Sequence, residues 1–221
     1  MRPSTAPAVP VTVTASTSTS TSSPTRSSAP VLRRMRRFGS TEGFLALLDL
    51  IRAGDPTAAV RSNVIVGFPG ESEDDVAELE RFLVAARLDA IGVFGYSDED
   101  GTEAEHLPDH LPQDVVDARV ARLTELVEEL TSQRAEERVG ELVEVLVDAV
   151  TVTGTAGAVE GRTAGQAPEV DGATTLTGPG TDVLVPGDLV RARVVASEGV
   201  DLVAELVELH SPARRPAAAL A

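Results

Sequence analysis

The chain has 221 residues, enough for one or two domains, and its 42% hydrophobic content supports a buried core. Its 19 basic residues are all arginine, its net charge is −16 and its pI is about 4.5, so it favours basic protein partners over nucleic acid. The absence of cysteine excludes disulfides, thiolate zinc sites and iron–sulfur clusters held by the chain itself. Without a membrane-spanning apolar run or a secretory signal, we expect a cytoplasmic protein with no membrane partner.

The first 30 residues are of low complexity. Ser and Thr fill 13 of the 17 positions from Thr12 to Ser28, a composition that buries too little apolar surface to offset the entropy of ordering. We therefore predict a disordered tail at 1–30, or a mis-assigned start. A transit peptide is the weaker alternative because arginine is sparse. A second loose tail is expected at 210–221.

An α/β region follows. Apolar residues spaced three or four apart predict a helix from about Thr41 to Ala53, and Val60–Phe68 has the apolar run of a parallel strand covered on both faces. Ser72 and Asp75 predict a capping box for the next helix. A second strand is expected at Ala90–Tyr96, which completes a strand–helix–strand unit.

The pattern changes after an acidic loop at 97–112 and a long helix predicted from Gln113 to Arg138. Strands are then predicted at 142–150, 156–163, 181–186, 188–196 and 200–208. Short strands joined by Gly, Pro and Asp turns are typical of a small β-barrel. The predicted fold is thus an α/β region, 31–139, followed by a barrel, 140–209.

The turn Gly67–Gly70 ends a predicted parallel strand, which is where α/β folds bind ligands. Glycine permits close approach of a ligand, and the N-terminus of the next helix attracts anions. A purely structural turn explains the same residues equally well. The Gly-Lys-Ser/Thr ending of a phosphate-binding Walker loop is absent.

Three other polar groups carry weaker signals. Asp98–Gly101 is too short for an EF-hand loop, so a solvated turn is the favoured interpretation. His106 and His110 have the spacing of a metal pair on a helix, but Pro108 lies between them. The arginines of 33–37 are interpreted as a solvated helix face. We therefore assign no metal ligand and no catalytic residue.

Five segments in order carry a family resemblance: Val31–Arg37, Asn63–Glu71, Phe94–Ala104, Gln133–Arg138 and Gly161–Gly172. Together they resemble the radical S-adenosylmethionine methylthiotransferases, over residues 31–209. Within that family they are most similar to the branch that methylthiolates an aspartate of small-subunit ribosomal protein S-twelve. The transfer-RNA-modifying branch shares Val-Gly-Phe-Pro-Gly-Glu but is less similar in the other segments.

The resemblance implies the end of a radical S-adenosylmethionine partial (β/α) barrel followed by a TRAM domain, a small antiparallel, OB-like β-barrel. Family members use S-adenosylmethionine and two [4Fe–4S] clusters held by cysteines, and these ligands are absent from this chain. We therefore expect the chain to be inactive alone, as a truncated or mis-started product or as part of a split enzyme completed by another chain. By family position, the S-adenosylmethionine pocket would be formed by Val66, Gly67, Phe94 and Tyr96.

The charge of the predicted barrel favours a protein substrate. Residues 140–209 contain twelve Asp or Glu and three Arg, a net charge of 3 − 12 = −9, which would repel RNA and attract the basic ribosomal protein S-twelve. Two alternatives stay open. One is a non-catalytic acidic TRAM module that binds a basic ribosomal protein. The other is an RNA-binding TRAM protein or a fragment of a transfer-RNA methylthiotransferase.

Overall fold

The computed structural model describes residues 11–12, 40–98, 101, 104–153, 156–167 and 171–213. These residues form two compact units, one up to Thr131 and the other from Ser132 onward. The division therefore falls inside a helix, before the boundary predicted at 139–140. No described helix is long and apolar enough to cross a membrane.

The first unit is an α/β layer with a parallel sheet in the order β1-β2-β3. Its elements are β1 (Val11–Thr12), α1 (Thr41–Gly54), β2 (Val60–Val66), α2 (Glu73–Ala86), β3 (Ala90–Gly95) and α3 (Gln113–Glu136), whose residues after Thr131 belong to the second unit. The predicted strand–helix–strand unit is confirmed. Within the segment expected to be disordered, Val11 and Thr12 pair with β2, and the other residues of 1–30 lie outside the described part.

Local side-chain chemistry sets the helix ends. Ser40 precedes α1 and accepts a hydrogen bond from the Gly43 N–H at 3.1 Å. The predicted capping box of α2 is confirmed, since the Ser72 and Asp75 side chains each accept from the other's backbone N–H. Arg87 ends the helix in the left-handed conformation, with φ of 49°.

Strand β2 has one buried face and one open face. Val60, Ser62, Val64 and Val66 are buried against the helices, whereas the alternate residues Arg61, Asn63 and Ile65 are partly or largely exposed. The prediction that this strand is covered on both faces is therefore wrong for the residues described. The core lies on the side of the buried set, where Leu79, Leu83 and Leu123 pack.

The second unit contains a closed five-stranded barrel with the order β4-β5-β6-β8-β7. Its strands are β4 (Leu142–Thr153), β5 (Ala156–Thr163), β6 (Thr174–Thr177), β7 (Leu189–Glu198) and β8 (Asp201–Ser211). All neighbours are antiparallel except β6 and β8, which are parallel. This confirms the predicted OB-like barrel.

One predicted barrel strand is wrong. Residues 181–186 do not form a strand; Thr181–Val183 is a short 3₁₀ turn, and the third strand is Thr174–Thr177. Thr174 is fully buried, and its hydroxyl donates to the Gln166 side chain at 2.7 Å. A buried partner thus allows a threonine-rich segment to occupy an interior strand position.

Part of the C-terminal segment expected to be loose is held in place. Strand β8 continues to Ser211, and the Ala213 N–H donates to the Asp188 carboxylate at 2.7 Å. Asp188 is almost fully buried and also accepts the Val185 N–H at 2.9 Å. Residues 214–221 lie outside the described part.

Candidate functional site

The carboxyl ends of β2 and β3 form the candidate ligand edge. The two strands are parallel and Val66 is in register with Gly95, so both chains leave the sheet at the same edge. Ligands of α/β folds bind at such an edge. The residues predicted for the S-adenosylmethionine pocket therefore lie at the ends of two adjacent strands. Val66 and Gly67 lie at the end of β2, and Phe94 and Tyr96 lie at the end of β3.

Val66 and Gly67 offer backbone rather than side chains to this edge. The Val66 side chain is fully buried, and its carbonyl accepts the Tyr96 N–H at 2.7 Å. Gly67 has φ of 87°, and its N–H donates to Glu71 Oε1 at 2.9 Å. A Cβ on Gly67 would lie 2.7 Å from a methyl of Val116. The packing of α3 thus explains this glycine without any ligand.

The N-terminus of α2 is satisfied internally. The Ser72 N–H donates to Asp75 Oδ2 at 2.8 Å, and the Asp75 N–H donates to Ser72 Oγ at 3.3 Å. The first turn contains Glu73, Asp74 and Asp75. Three carboxylates at the positive end of a helix dipole already occupy the place that an anionic ligand would take. The geometry therefore gives no support to the predicted anion attraction.

The aromatic residues offer a surface. Phe94 is 54% exposed, and its ring lies over Gly92, on the open face of the sheet. Tyr96 packs edge-on against Phe68, with ring centroids 5.2 Å apart. An exposed aromatic ring can stack on a base such as adenine, so Phe94 fits the predicted pocket better than its three companions.

Tyr96 also belongs to a polar cluster. Its hydroxyl donates to Asp98 Oδ1 at 2.7 Å, and His110 Nδ1 lies 3.3 Å from Asp98 Oδ2. Desolvation, followed by the hydrogen bond to Asp98 and the charges of Asp98 and Glu105, raises the pKa of Tyr96 to about 12. His110 thus contacts a carboxylate in the first unit, while His106 lies in a 3₁₀ turn.

A buried ion pair, missed by the sequence analysis, lies beneath the Gly67 turn. Glu71 is 3% exposed and Arg119 is 6% exposed. Arg119 Nη1 donates to Glu71 Oε1 at 2.7 Å, while Nε and Nη2 donate to Glu73 Oε1 at 3.0 and 2.7 Å. Burial raises the pKa of Glu71, and the hydrogen bond from Gly67 and the Arg119 charge oppose that rise. Glu71 Oε2 is buried without a hydrogen-bond partner.

Metal ligands are not assembled in the part of the chain that the structure describes, where no three His, Asp or Glu side chains are grouped to hold an ion. The chain has no cysteine, and thiolates are the ligands on which [4Fe–4S] clusters depend. The residues present therefore do not fit a cluster.

The barrel carries a second candidate surface on β4, β7 and β8. Register places Glu144 beside Arg191 and Arg191 beside Glu208, while Arg193 pairs with Glu205. We define the acidic face as Glu144, Glu205 and Glu208 together with Val207, which is 54% exposed. Arg191 and Arg193 lie among these three carboxylates, which leaves the face a small excess of negative charge beside one exposed apolar side chain.

The arginines of the barrel are already engaged. Arg191 Nη1 donates to Glu208 at 3.1 Å, Arg162 Nη1 donates to Asp148 at 2.7 Å, and Arg193 Nη1 donates to the Gly140 carbonyl at 2.8 Å. These are the three arginines of residues 140–209. Their charge is partly neutralised within the unit, so the barrel lacks the positive patch on which phosphate binding depends.

Comparison with known proteins identifies both parts of the chain. Residues 139–207 match the TRAM domain. The chain is 58% identical over 179 residues to the ribosomal protein uS12 methylthiotransferase RimO of Kineococcus radiotolerans. The matched segment covers 81% of this chain and 37% of that protein. The RimO proteins of Nocardioides sp. and Streptomyces coelicolor are 62% and 58% identical, each over 80% of this chain and 36% of their own length.

The chain thus spans a little over a third of the length of the curated relatives that it matches. The described elements agree with the end of a (β/α) barrel followed by a TRAM barrel. By sequence, the chain matches one part of the ribosomal protein uS12 methylthiotransferases, a part that includes the TRAM domain.

Proposed function

We propose that this chain carries the substrate-docking barrel and one side of the S-adenosylmethionine pocket of a cytoplasmic enzyme that methylthiolates an aspartate of ribosomal protein uS12. The identity of 54–62% to uS12 methylthiotransferases is the observation that carries this proposal. S-adenosylmethionine would lie at the carboxyl edge of β2 and β3, beside the backbone of Val66 and Gly67, with Phe94 and Tyr96 as its aromatic wall.

The radical step needs a cluster that this chain cannot ligate. The family's [4Fe–4S] clusters are held by cysteine thiolates, and the chain contains none. A cluster would therefore have to be held by residues outside this chain. What the chain itself contributes is binding: an edge for the co-substrate and an acidic face for the protein substrate.

The docking part of the proposal is supported by charge and by exposed apolar area. Ribosomal proteins bind RNA and are commonly rich in Lys and Arg, so a face with Glu144, Glu205 and Glu208 complements them. Val207, which is 54% exposed, provides apolar area beside those carboxylates. The aliphatic stems of Lys and Arg can cover such area while their charged ends reach the carboxylates.

RNA binding is the less supported alternative. OB-like barrels that bind single-stranded nucleic acid combine basic grooves with aromatic residues on which bases stack. Residues 140–211 contain no Phe, Tyr or Trp, and their net charge is −9 to residue 209. The barrel therefore lacks both elements.

Binding of purified uS12 and of an RNA oligonucleotide to the full chain, measured by calorimetry at several salt concentrations, tests the docking proposal. We expect uS12 to bind, with an affinity that falls as salt rises, and RNA not to bind. The variant E205Q/E208Q should weaken uS12 binding about tenfold or more. The matched control E160Q/D182N removes two exposed carboxylates outside the acidic face and should bind normally. If both variants lost the same uS12 affinity, the effect would depend on net charge alone. That result would overturn the proposal that uS12 binds at the acidic face.

A non-catalytic docking module is favoured by the absence of cysteine, and iron content distinguishes it from an enzyme part. Iron and sulfide should be added to the chain anaerobically, with and without a full-length relative as the positive control. If the chain retains no iron and still binds uS12, the result supports a docking module that does not catalyse the reaction alone. Stoichiometric iron in the isolated chain would contradict the ligand argument.

A further inference from the structure

We propose that Arg119 is a positioning residue, which holds the Gly67 turn in the conformation that the co-substrate edge requires. This inference deepens the proposed function, because its importance for binding rests on S-adenosylmethionine occupying that edge. Arg119 lies on α3, 48 residues along the chain from Glu71, and touches the turn only through the fold. It acts through Glu71 and does not itself reach the edge.

One guanidinium contacts two residues at the end of the connection between β2 and α2. Its Nη1 donates to Glu71 Oε1 at 2.7 Å and lies 3.3 Å from the Glu71 carbonyl, and its Nη2 donates to Glu73 Oε1 at 2.7 Å. Glu71 Oε1 in turn accepts the Gly67 N–H at 2.9 Å. A continuous chain of hydrogen bonds therefore runs from α3 to the backbone amide at the end of β2.

The same helix supports the turn at a second point. Val116 lies one turn before Arg119 on the same helix face, and its methyls fill the space that a Cβ on Gly67 would take. Val116 and Arg119 are 3% and 6% exposed. The polar contact and the steric contact together leave the Gly67 peptide little freedom to rotate.

A purely structural role explains this arrangement poorly. A buried ion pair is often no more stabilising than apolar residues of the same volume, and here Glu71 Oε2 has no hydrogen-bond partner. Such a pair is a costly way to add stability but an effective way to fix one geometry, because its hydrogen bonds are directional. The pair ends at the backbone amide of the glycine assigned to the co-substrate edge.

The test compares R119M and E71L/R119M with R122M in the full chain. The double variant replaces the pair by apolar side chains and keeps the fold testable if R119M alone is unstable. Arg122 is the matched control, since it lies on α3 and contacts Glu73 and Glu80 but not Glu71. Each variant is measured for the chemical shift and hydrogen exchange of the Gly67 amide by NMR, for melting temperature, and for S-adenosylmethionine affinity by calorimetry.

We expect the Gly67 amide proton to move upfield relative to wild type and to exchange about tenfold or more faster in R119M and E71L/R119M, but not in R122M. Affinity for S-adenosylmethionine should fall about tenfold or more in the first two variants, even where the double variant melts at the wild-type temperature. An unchanged Gly67 amide would overturn the inference. The inference would also be overturned if the affinity for S-adenosylmethionine fell only in proportion to the drop in melting temperature. If the wild type does not bind S-adenosylmethionine, the proposed function fails at this edge, while the amide measurements still decide whether Arg119 positions Gly67.

Discussion

Substitution of Gly67 by alanine separates backbone strain from steric conflict at the candidate edge. Two costs add at this position. A left-handed backbone costs a non-glycine residue about 1–2 kcal/mol, and Gly67 has φ of 87°. The new methyl would also lie 2.7 and 2.8 Å from the two methyls of Val116, a buried, β-branched and therefore stiff side chain. Overpacking of this kind costs about 1–3 kcal/mol, so we expect G67A to lose about 2–5 kcal/mol in total.

Two other glycines provide the controls. Gly101 also has a positive φ, 77°, but an added Cβ would meet no atom within 4 Å, so G101A should show the backbone cost alone, about 1–2 kcal/mol. Gly54 ends α1 with open space around it, so G54A should be neutral or stabilising by up to about 1 kcal/mol. Tyr96 is the only Tyr of a chain without Trp, and its fluorescence during urea unfolding therefore reports on the first unit.

The result that refutes this reasoning is a G67A loss no larger than that of G101A, because the Val116 contact would then cost nothing. A double-mutant cycle adds a second check. Shortening Val116 to alanine removes both methyls that conflict with the new Cβ. G67A/V116A should therefore be more stable than the sum of the single losses predicts, by about 1–3 kcal/mol. If the free-energy losses of G67A and V116A simply added, the steric cost of G67A would not arise from contact with the Val116 methyls.

Three further outcomes follow from the polar contacts of Tyr96, Asp188 and Gln166. Alkaline absorbance titration should give Tyr96 a midpoint near 12, and D98N should move it towards the usual value of 10.0, since the Asp98 charge and hydrogen bond contribute to the rise. Because the folded state holds this proton more tightly, stability of the first unit should fall as pH rises from 10 to about 12 and be unaffected by Tyr96 below that range. D188N should lower barrel stability by about 1–3 kcal/mol, measured by thermal melting, because the Val185 N–H donates to Oδ2 and the Ala213 N–H to Oδ1, and an amide keeps only one of these two oxygens. Q166A should cost a similar amount, since it leaves the buried Thr174 hydroxyl without its acceptor.

The elements predicted well from sequence are those specified by neighbouring residues. The capping box of Ser72 and Asp75 is a four-residue signal, and the structure contains both of its hydrogen bonds. The apolar periodicity of Thr41–Gly54 is likewise local. Such signals are read without knowledge of tertiary contacts, which is why the strand–helix–strand unit was predictable.

The errors arise where tertiary packing overrides local composition. Residues 183–185 are apolar and suggested a strand, but Leu184 is buried while Val183 is 68% exposed, as a 3₁₀ turn allows. Thr174–Thr177 was overlooked because threonines lack an apolar pattern, and its burial depends on the Gln166 acceptor. The pairing of Glu71 with Arg119 crosses 48 residues, and no local pattern predicts such a contact.

The division into two units gives the proposals independent tests. The acidic face depends on residues of the barrel, and the co-substrate edge on residues before Thr131. E205Q/E208Q should therefore weaken uS12 binding and leave the Gly67 amide unchanged, whereas E71L/R119M should do the reverse. If either variant changed both measurements, the two surfaces would be energetically coupled, and the effect of each substitution could no longer be assigned to its own site. Measuring both quantities in both variants thus decides whether docking and co-substrate binding are separate properties of this chain.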